Sequence, residues 1–250
     1  MDILAEITKH TVYKVKSGSA SYGLNTPESD EDTLGVFMPT PENILGVTDN
    51  IGKHVRMTEP DENYKTISEF IAFVRDGSSF WVETLFVREE DILVLKPHFE
   101  PFVTHRKLFL TKALVTKSLG FMSAMANRSV SQKSIPSTNH LPEEEQAEAL
   151  NKSKQKNLCH AVRVGNMIVE MLNDFDLRVY RPEEREALLN IKTGVTPLDD
   201  AKAIMAERIG QIEEKLAITT IPDVADENVL NSMLAKNIVQ YWYDAKMIDP

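Results

Sequence analysis

Two short β-rich runs frame a glycine-serine turn and a pair of aspartates in this 250-residue chain. Residues 11–15 lead into Ser17-Gly18-Ser19, and after a ten-residue gap Asp30 and Asp32 come shortly before the apolar run 34–38. Because side chains alternate along a strand, Asp30 and Asp32 are expected to project from the same face. Neighbouring carboxylates repel each other unless a divalent cation lies between them, and Mg²⁺ commonly takes one or two carboxylates together with phosphate oxygens. The pattern therefore predicts a magnesium site beside a turn whose backbone amides can bind polyphosphate.

The same residues are also compatible with simpler structures. Serine, aspartate and glutamate after Thr26-Pro27 are also typical of a surface turn without any ligand. A P-loop is excluded because Leu24-Asn25 stands where lysine and serine or threonine are required. The sequence lacks Gly-x-Gly-x-x-Gly, His-Glu-x-x-His and Gly-x-Ser-x-Gly, the motifs of dinucleotide binding, zinc proteases and nucleophile elbows. A single cysteine, Cys159, argues against an intramolecular disulfide and a structural zinc site, and fits a cytoplasmic location.

The hydrophobic pattern divides the chain near residue 100. The first part mixes β-rich runs, including a weak one at 54–58, with helical spacing at 67–74. The segment 58–64 contains Pro60 and Asn63 and is predicted to be a turn cluster and a poor strand. In the second part, helices are predicted at about 104–127, 151–173, 183–191, 198–216 and 227–246.

Charge is distributed unevenly along a chain whose net charge is −10. Residues 104–142 carry 6 cations and no acid, and residues 151–169 carry 4 cations and no acid. Such segments in an acidic chain favour phosphate binding, although two solvated helices would show the same pattern. In the second segment, Lys156, His160 and Arg163 fall within a sector of roughly 60° on a helix, opposite an apolar stripe. This helix is therefore predicted to bury the stripe and to present three potential cations on its other side.

The whole pattern resembles the DNA polymerase beta superfamily of nucleotidyltransferases. Gly18-Ser19, the gap and Asp30-x-Asp32 look like its signature, and the fuller Gly-Ser-x-x-Tyr-Gly and Ser-Asp-x-Asp-x-x-Gly-Val are similar to a bacterial and phage subfamily partly associated with RNA repair. Further similar segments extend the resemblance over roughly residues 14 to 195; they include Glu83-Thr84-Leu85-Phe86, Lys156-x-x-x-His160-x-x-Arg163 and Arg181-Pro182-Glu183. The resemblance implies an α+β fold, with a polymerase-beta-like catalytic palm of small mixed sheet and helices in residues 1–100 and a helical domain in residues 101–250.

The resemblance also implies the roles of individual residues. Asp30, Asp32 and Asp61 would be catalytic and hold two Mg²⁺ ions, with Glu62 as the alternative to Asp61. The nucleotide would be bound by Gly18, Ser19, Lys156, His160 and Arg163. Two departures bear on this assignment: Glu31 stands where the superfamily usually has an apolar residue, and the segment around Asp61 is a poor strand.

The implied reaction is Mg²⁺-dependent transfer of a nucleoside monophosphate from an NTP to an acceptor hydroxyl, with release of pyrophosphate. RNA or tRNA is the favoured acceptor. A protein acceptor, as in AMPylation, and an inactive module that binds nucleotide or RNA both remain open. No membrane partner is expected, because no apolar run approaches the ~18 residues that a membrane span needs. The oligomeric state is left open.

Overall fold

Five strands form one mixed sheet in the described part of the computed structural model. The structure describes residues 3–27, 29–46, 52, 54–58, 61–130, 138 and 140–249, and the side chains of Thr58 and Asp61 lie outside this description. The strands are β1 (Thr11–Lys16), β2 (Thr33–Phe37), β3 (His54–Thr58), β4 (Asp61–Thr66) and β5 (Ile92–Leu95). Their order in the sheet is β3-β4-β2-β1-β5; β2 and β4 pair in parallel, and the other neighbours are antiparallel.

One end of the sheet brings together the segments that carry the candidate residues. Lys16 pairs with Thr33 across the antiparallel strands β1 and β2, so the turn after β1 lies beside the start of β2. Thr33 also pairs with Glu62 across the parallel strands β2 and β4, so β4 begins at the same end. Asp32 and Asp61 precede these two paired residues and therefore hold adjacent register positions.

The strand β4 corrects the prediction of a turn cluster and poor strand at 58–64. It pairs with β3 on one side and with β2 on the other, so its backbone groups are hydrogen-bonded within the sheet. Its second half, from Tyr64 to Thr66, is buried. Its polar Glu62 is satisfied by Lys14, whose Nζ lies 2.6 Å from Oε1. Strand pairing and burial thus override the low β propensity of these residues. Pro60 lies outside the described residues.

Eleven helices are present in the described ranges, together with short 3₁₀ turns. The helices are α1 (Ile3–His10), α2 (Gly18–Tyr22), α3 (Pro41–Leu45), α4 (Ile67–Arg75), α5 (Ser79–Val82), α6 (Glu100–Thr104), α7 (Lys112–Val130), α8 (Glu143–Asp174), α9 (Arg185–Thr193), α10 (Leu198–Ile218) and α11 (Glu227–Asp244). The 3₁₀ turns are Glu83–Phe86, Glu89–Asp91, Arg106–Phe109 and Pro182–Glu184. The helices predicted at 67–74, 198–216 and 227–246 correspond to α4, α10 and α11.

Two predicted helix starts are wrong. The helix predicted from about 104 is α7, which begins at Lys112, because the first amides of α7, those of Lys112 and Ala113, donate to the carbonyls of Pro222 and Asp223 at 2.8 and 3.0 Å. The helix predicted from 151 is α8, which begins at Glu143. Pro142 precedes it, and three glutamates in its first turn interact favourably with the helix dipole.

The helical part packs around α8, which contacts α7, α9 and α10. The larger apolar cluster of the described residues extends from Val12 in β1 to Trp242 in α11, so the sheet and the helices share a core. The boundary between residues 1–100 and 101–250 stays a prediction. No helix in the described ranges has the length and apolar character needed to cross a bilayer.

Candidate active site

A cavity of about 500 Å³ lies between the end of the sheet and the helices α5, α7, α8 and α9. Its size is typical of a small-ligand site. Seven of the eight residues that the sequence singles out line it: Gly18, Ser19, Asp30, Asp32, Lys156, His160 and Arg163. The eighth is Asp61, whose side chain lies outside the described residues. The fold therefore brings into one cavity residues that are more than 100 positions apart in sequence.

Gly18 holds the turn after β1 close to Asp32. Its φ of +63° lies in the left-handed region that favours glycine. A Cβ added at this position would lie 2.6 Å from Oδ2 of Asp32, which is closer than a real contact. The backbone amide of Ser17 donates to the Asp32 carbonyl at 2.9 Å, and this hydrogen bond also holds the turn after β1 close to Asp32. The neighbouring Ser19 hydroxyl makes no hydrogen bond to any residue that the structure describes, so it can bond to a ligand.

Asp30 and Asp32 both line this cavity, Asp30 as an exposed side chain and Asp32 as a half-buried one. Asp30 makes no ion pair with the described residues. Carboxylate oxygens are the hard ligands that Mg²⁺ prefers, so the donor set fits this metal. Among the side chains that the structure describes, which do not include that of Asp61, no group of three or more His, Cys, Asp or Glu is placed to hold a metal ion.

Glu62, the alternative third carboxylate, is bound to other side chains. Lys14 Nζ lies 2.6 Å from its Oε1, and the Tyr64 hydroxyl donates to its Oε2 at 2.7 Å. Partial burial raises the pKa of Glu62, but the bonds from Lys14 and Tyr64 outweigh burial, and the pKa is lowered overall. These bonds account for both of its carboxylate oxygens, and Glu62 is not among the residues that line the cavity.

Arg163 is held in a buried ion pair at the wall of the cavity. Its Nη1 and Nη2 donate to the Glu83 carboxylate at 3.0 and 3.3 Å, and both residues are 3% exposed. The guanidinium also lies 3.6 Å from the centre of the Tyr22 ring. Burial lowers the pKa of Arg163, but Glu83 more than compensates and the pKa is raised overall. Arg163 thus lines the cavity together with Lys156 and His160, as the shared helix face predicts, but its charge is already paired with the Glu83 carboxylate.

His160 lies among cations at the cavity wall. Burial is the largest cause that lowers its pKa from 6.5 to about 4, and the charges of Arg163, Lys156 and Lys192 lower it further. His160 is therefore a neutral imidazole at pH 7, and its ring makes no hydrogen bond to the described residues. Lys156 and Lys192 also line the cavity, and neither pairs with an acid in the described part of the chain. The cationic wall thus consists of two unpaired lysines and the paired Arg163.

His160 is expected to make the protein sensitive to acid. Its pKa is lower in the folded than in the unfolded state, so the unfolded state binds more protons as the pH falls from 6.5 towards 4. Stability is therefore lost over that window, by about 3 kcal/mol at pH 4. Urea unfolding at pH 7, 5.5 and 4 should show a smaller acid loss for His160→Asn than for the wild type. The exposed His105→Asn should follow the wild type, and parallel curves for all three proteins would refute the assignment.

Residues 2–234 of the chain match the family model RlaP, which describes the RNA repair pathway DNA polymerase beta family. The chain belongs to this RNA repair polymerase beta family. No curated protein matches the chain significantly. The match confirms the resemblance to the polymerase beta superfamily and agrees with the α+β fold. Membership suggests nucleotidyltransferase activity in an RNA repair pathway, and nucleotidyltransferases of this superfamily generally use an NTP and divalent metals.

Several cavity residues of this polymerase beta family member have no functional role assigned from the sequence, or only a weak one. Phe80 lines the cavity and carries no signal in the sequence. Tyr22 and Phe121 also line it; Tyr22 belongs to the Gly-Ser-x-x-Tyr-Gly segment without an assigned role, and helical spacing marks Phe121 as a core residue. Lys192 is a weaker binding candidate from the sequence, because it could equally be the terminal charge of its helix; it lines the cavity. None of the described cations in residues 104–142 lines the cavity. In that segment, Lys112 pairs with Asp223 at 2.8 Å, so part of its charge is neutralised by an acid distant in sequence.

Proposed function

We propose that this protein transfers a nucleoside monophosphate from an NTP to an acceptor hydroxyl and releases pyrophosphate. The observation that carries the proposal is the cavity itself, which is lined by Asp30 and Asp32 and also by Lys156, Lys192 and Arg163. Two carboxylates suit a divalent metal, and an adjacent group of cations suits a polyphosphate. Family membership supports the same class of reaction.

We propose that two Mg²⁺ ions are bound by Asp30, Asp32 and Asp61. Asp61 is preferred to Glu62 because it is adjacent to Asp32 in the sheet register and because Glu62 is bonded to Lys14 and Tyr64. When bound, the metal would lower the pKa of the attacking hydroxyl and neutralise charge on the triphosphate.

The remaining cavity residues bind and orient the triphosphate in this proposal. The hydroxyl and the backbone of Ser19 donate to phosphate oxygens, and Gly18 permits the close approach of that turn to Asp32. Lys156, Lys192 and Arg163 stabilise the charge that develops on the leaving pyrophosphate, since positioning and electrostatics dominate phosphoryl transfer. His160 adds a neutral imidazole, which can donate or accept one hydrogen bond.

Lys156→Ala and Lys192→Ala are each expected to weaken MgATP binding by about 10- to 100-fold, because a lost charge-assisted hydrogen bond is worth about 1.5–3 kcal/mol. Titration calorimetry at fixed ionic strength measures the effect. Lys154→Ala is the matched control, since Lys154 lies on the same helix, makes no ion pair with the described residues and does not line the cavity. Equal affinities for the three variants would place the triphosphate elsewhere.

RNA is the acceptor that we favour, because the family is defined by an RNA repair pathway. Incubation of the protein with Mg²⁺ and each α-³²P-labelled NTP, with tRNA or cell lysate present, tests the reaction and the acceptor together. Label in RNA supports the proposal. Label in a protein would establish the alternative acceptor, and nucleotide binding without any label would identify a binding module.

A further inference from the structure

The segment 180–185 of the helical part packs against the loop that follows α2. The backbone amide of Arg181 donates to the carbonyl of Tyr22 at 3.1 Å. The ring of Tyr180 lies so close to Gly23 that an added Cβ would meet it at 2.8 Å. Arg185 completes the contact, with Nη1 donating to the carbonyl of Gly23 and Nη2 donating to that of Asn25 at 2.7 Å. One guanidinium therefore binds two carbonyls of the same loop.

Arg185 differs from its neighbour Arg181 in what it binds. Arg181 is 1% exposed and donates to the carboxylates of Glu170 and Glu184 within the helical part. Arg185 makes no ion pair with the described residues, and its two hydrogen bonds both cross to the loop after α2. Arg181 therefore stabilises its own part of the fold, whereas Arg185 fixes the loop.

The loop that Arg185 binds forms a wall of the cavity. Leu24 and Thr26 line the cavity, and the chain continues from this loop to Asp30. On the other side, the amide of Leu24 donates to the carbonyl of Ser19 at 2.8 Å. The loop thus connects Ser19 with the first aspartate, and a displacement of the loop would move both.

We propose that Arg185 is a positioning residue of the cavity, which holds residues 23–27 so that Asp30 and Ser19 keep their places for metal and triphosphate. This inference rests on the proposed nucleotidyl transfer at the same cavity. Arg185 itself contacts main-chain oxygens of the loop, so it acts through the loop and not on the substrate.

The test compares Arg185→Ala, Arg185→Lys and the wild type. Arg178→Ala is the matched control, because Arg178 lies just before the same segment, is exposed and does not line the cavity. Hydrogen exchange measures the protection of residues 23–27. Electron paramagnetic resonance measures Mn²⁺ affinity in the presence of α,β-methylene-ATP. A thermal melt measures overall stability, and free guanidinium is added to Arg185→Ala as a chemical rescue.

For Arg185→Ala we expect faster exchange confined to residues 23–27 and a loss of Mn²⁺ affinity of about 10- to 100-fold, the range found when supports of metal ligands are removed. The Mn²⁺ affinity and the local exchange of Arg185→Lys should lie between those of Arg185→Ala and the wild type. The lysine ammonium keeps the charge, but it cannot bind two carbonyls at once as the planar guanidinium does. Guanidinium should restore part of the affinity of Arg185→Ala, and Arg178→Ala should match the wild type.

Three results would overturn the inference. Arg185→Ala could match Arg178→Ala in local exchange and in Mn²⁺ affinity. Its exchange could instead rise throughout the chain together with a lower melting temperature, which would make Arg185 a general stabiliser. Guanidinium could also fail to restore any affinity. Failure of the proposed function has a different signature: the wild type itself would bind neither the nucleotide analogue nor Mn²⁺, whatever residue 185 is.

Discussion

Asp30→Asn and Asp32→Asn are each expected to reduce nucleotidyl transfer by about 10³-fold or more, because loss of a metal ligand removes several kcal/mol of transition-state stabilisation. Asparagine keeps the size of each side chain, so the fold should be unchanged. Transfer to labelled RNA gives the rate, and a thermal melt checks the fold. MgATP should also raise the melting temperature of the wild type but not of Asp30→Asn, since a ligand that binds only the native state stabilises it.

Glu31→Gln is the matched control for the two aspartates. Glu31 lies between them, is exposed and does not line the cavity. The same loss of negative charge at this position should therefore leave the rate within about twofold, because a charge that is exposed to water and outside the cavity interacts weakly with the ligand. Full activity in Asp30→Asn and Asp32→Asn would refute the metal site. A loss in Glu31→Gln equal to theirs would show that the general charge of the segment is what matters.

Local patterns were sufficient to predict much of the fold. The alternating and β-branched residues of β1 and β2 and the apolar spacing of α4 are signals within a few residues, and they correspond to observed elements. The strand β4 was missed because its stability comes from pairing with two other strands, which no local pattern contains. The start of α7 was missed for a similar reason, since the carbonyls of Pro222 and Asp223 lie more than 100 residues further along the chain.

In the candidate site, too, residues with a local sequence signal could be predicted, whereas contacts with distant partners could not. Gly18, Ser19, Asp30 and Asp32 were recognisable because their spacing carries a known chemistry, and the structure brings them into one cavity. The partnership of Arg163 with Glu83 could not be predicted, since helical spacing indicates which residues share a face but not which acid opposes them. Arg185 carried no signal at all, because its partners are main-chain carbonyls and these look alike in every sequence.

Glu83→Ala is expected to lower the free energy of unfolding by about 3–5 kcal/mol, because it leaves a buried guanidinium without its counter-charge. Glu83 and Arg163 are each 3% exposed and are joined by two hydrogen bonds, so the carboxylate is the direct counter-charge of the guanidinium. Urea unfolding measures the change. The control is Glu227→Ala, which breaks an exposed pair with Arg75 at 3.0 Å and should cost no more than about 1 kcal/mol. Equal losses in the two variants would contradict the argument.

A double variant separates the structural role of this pair from its proposed role in binding. Apolar residues of similar volume often replace a buried ion pair without loss of stability, so Glu83→Leu combined with Arg163→Met should be more stable than Glu83→Ala alone. The same double variant has no guanidinium at the cavity wall, so its affinity for MgATP should fall about tenfold or more, as for loss of a charge-assisted hydrogen bond. If the double variant regains stability but not affinity for MgATP, the ion pair serves to bind the ligand. If both recover, Arg163 serves only the core, and Lys156 and Lys192 alone would carry the binding of the triphosphate.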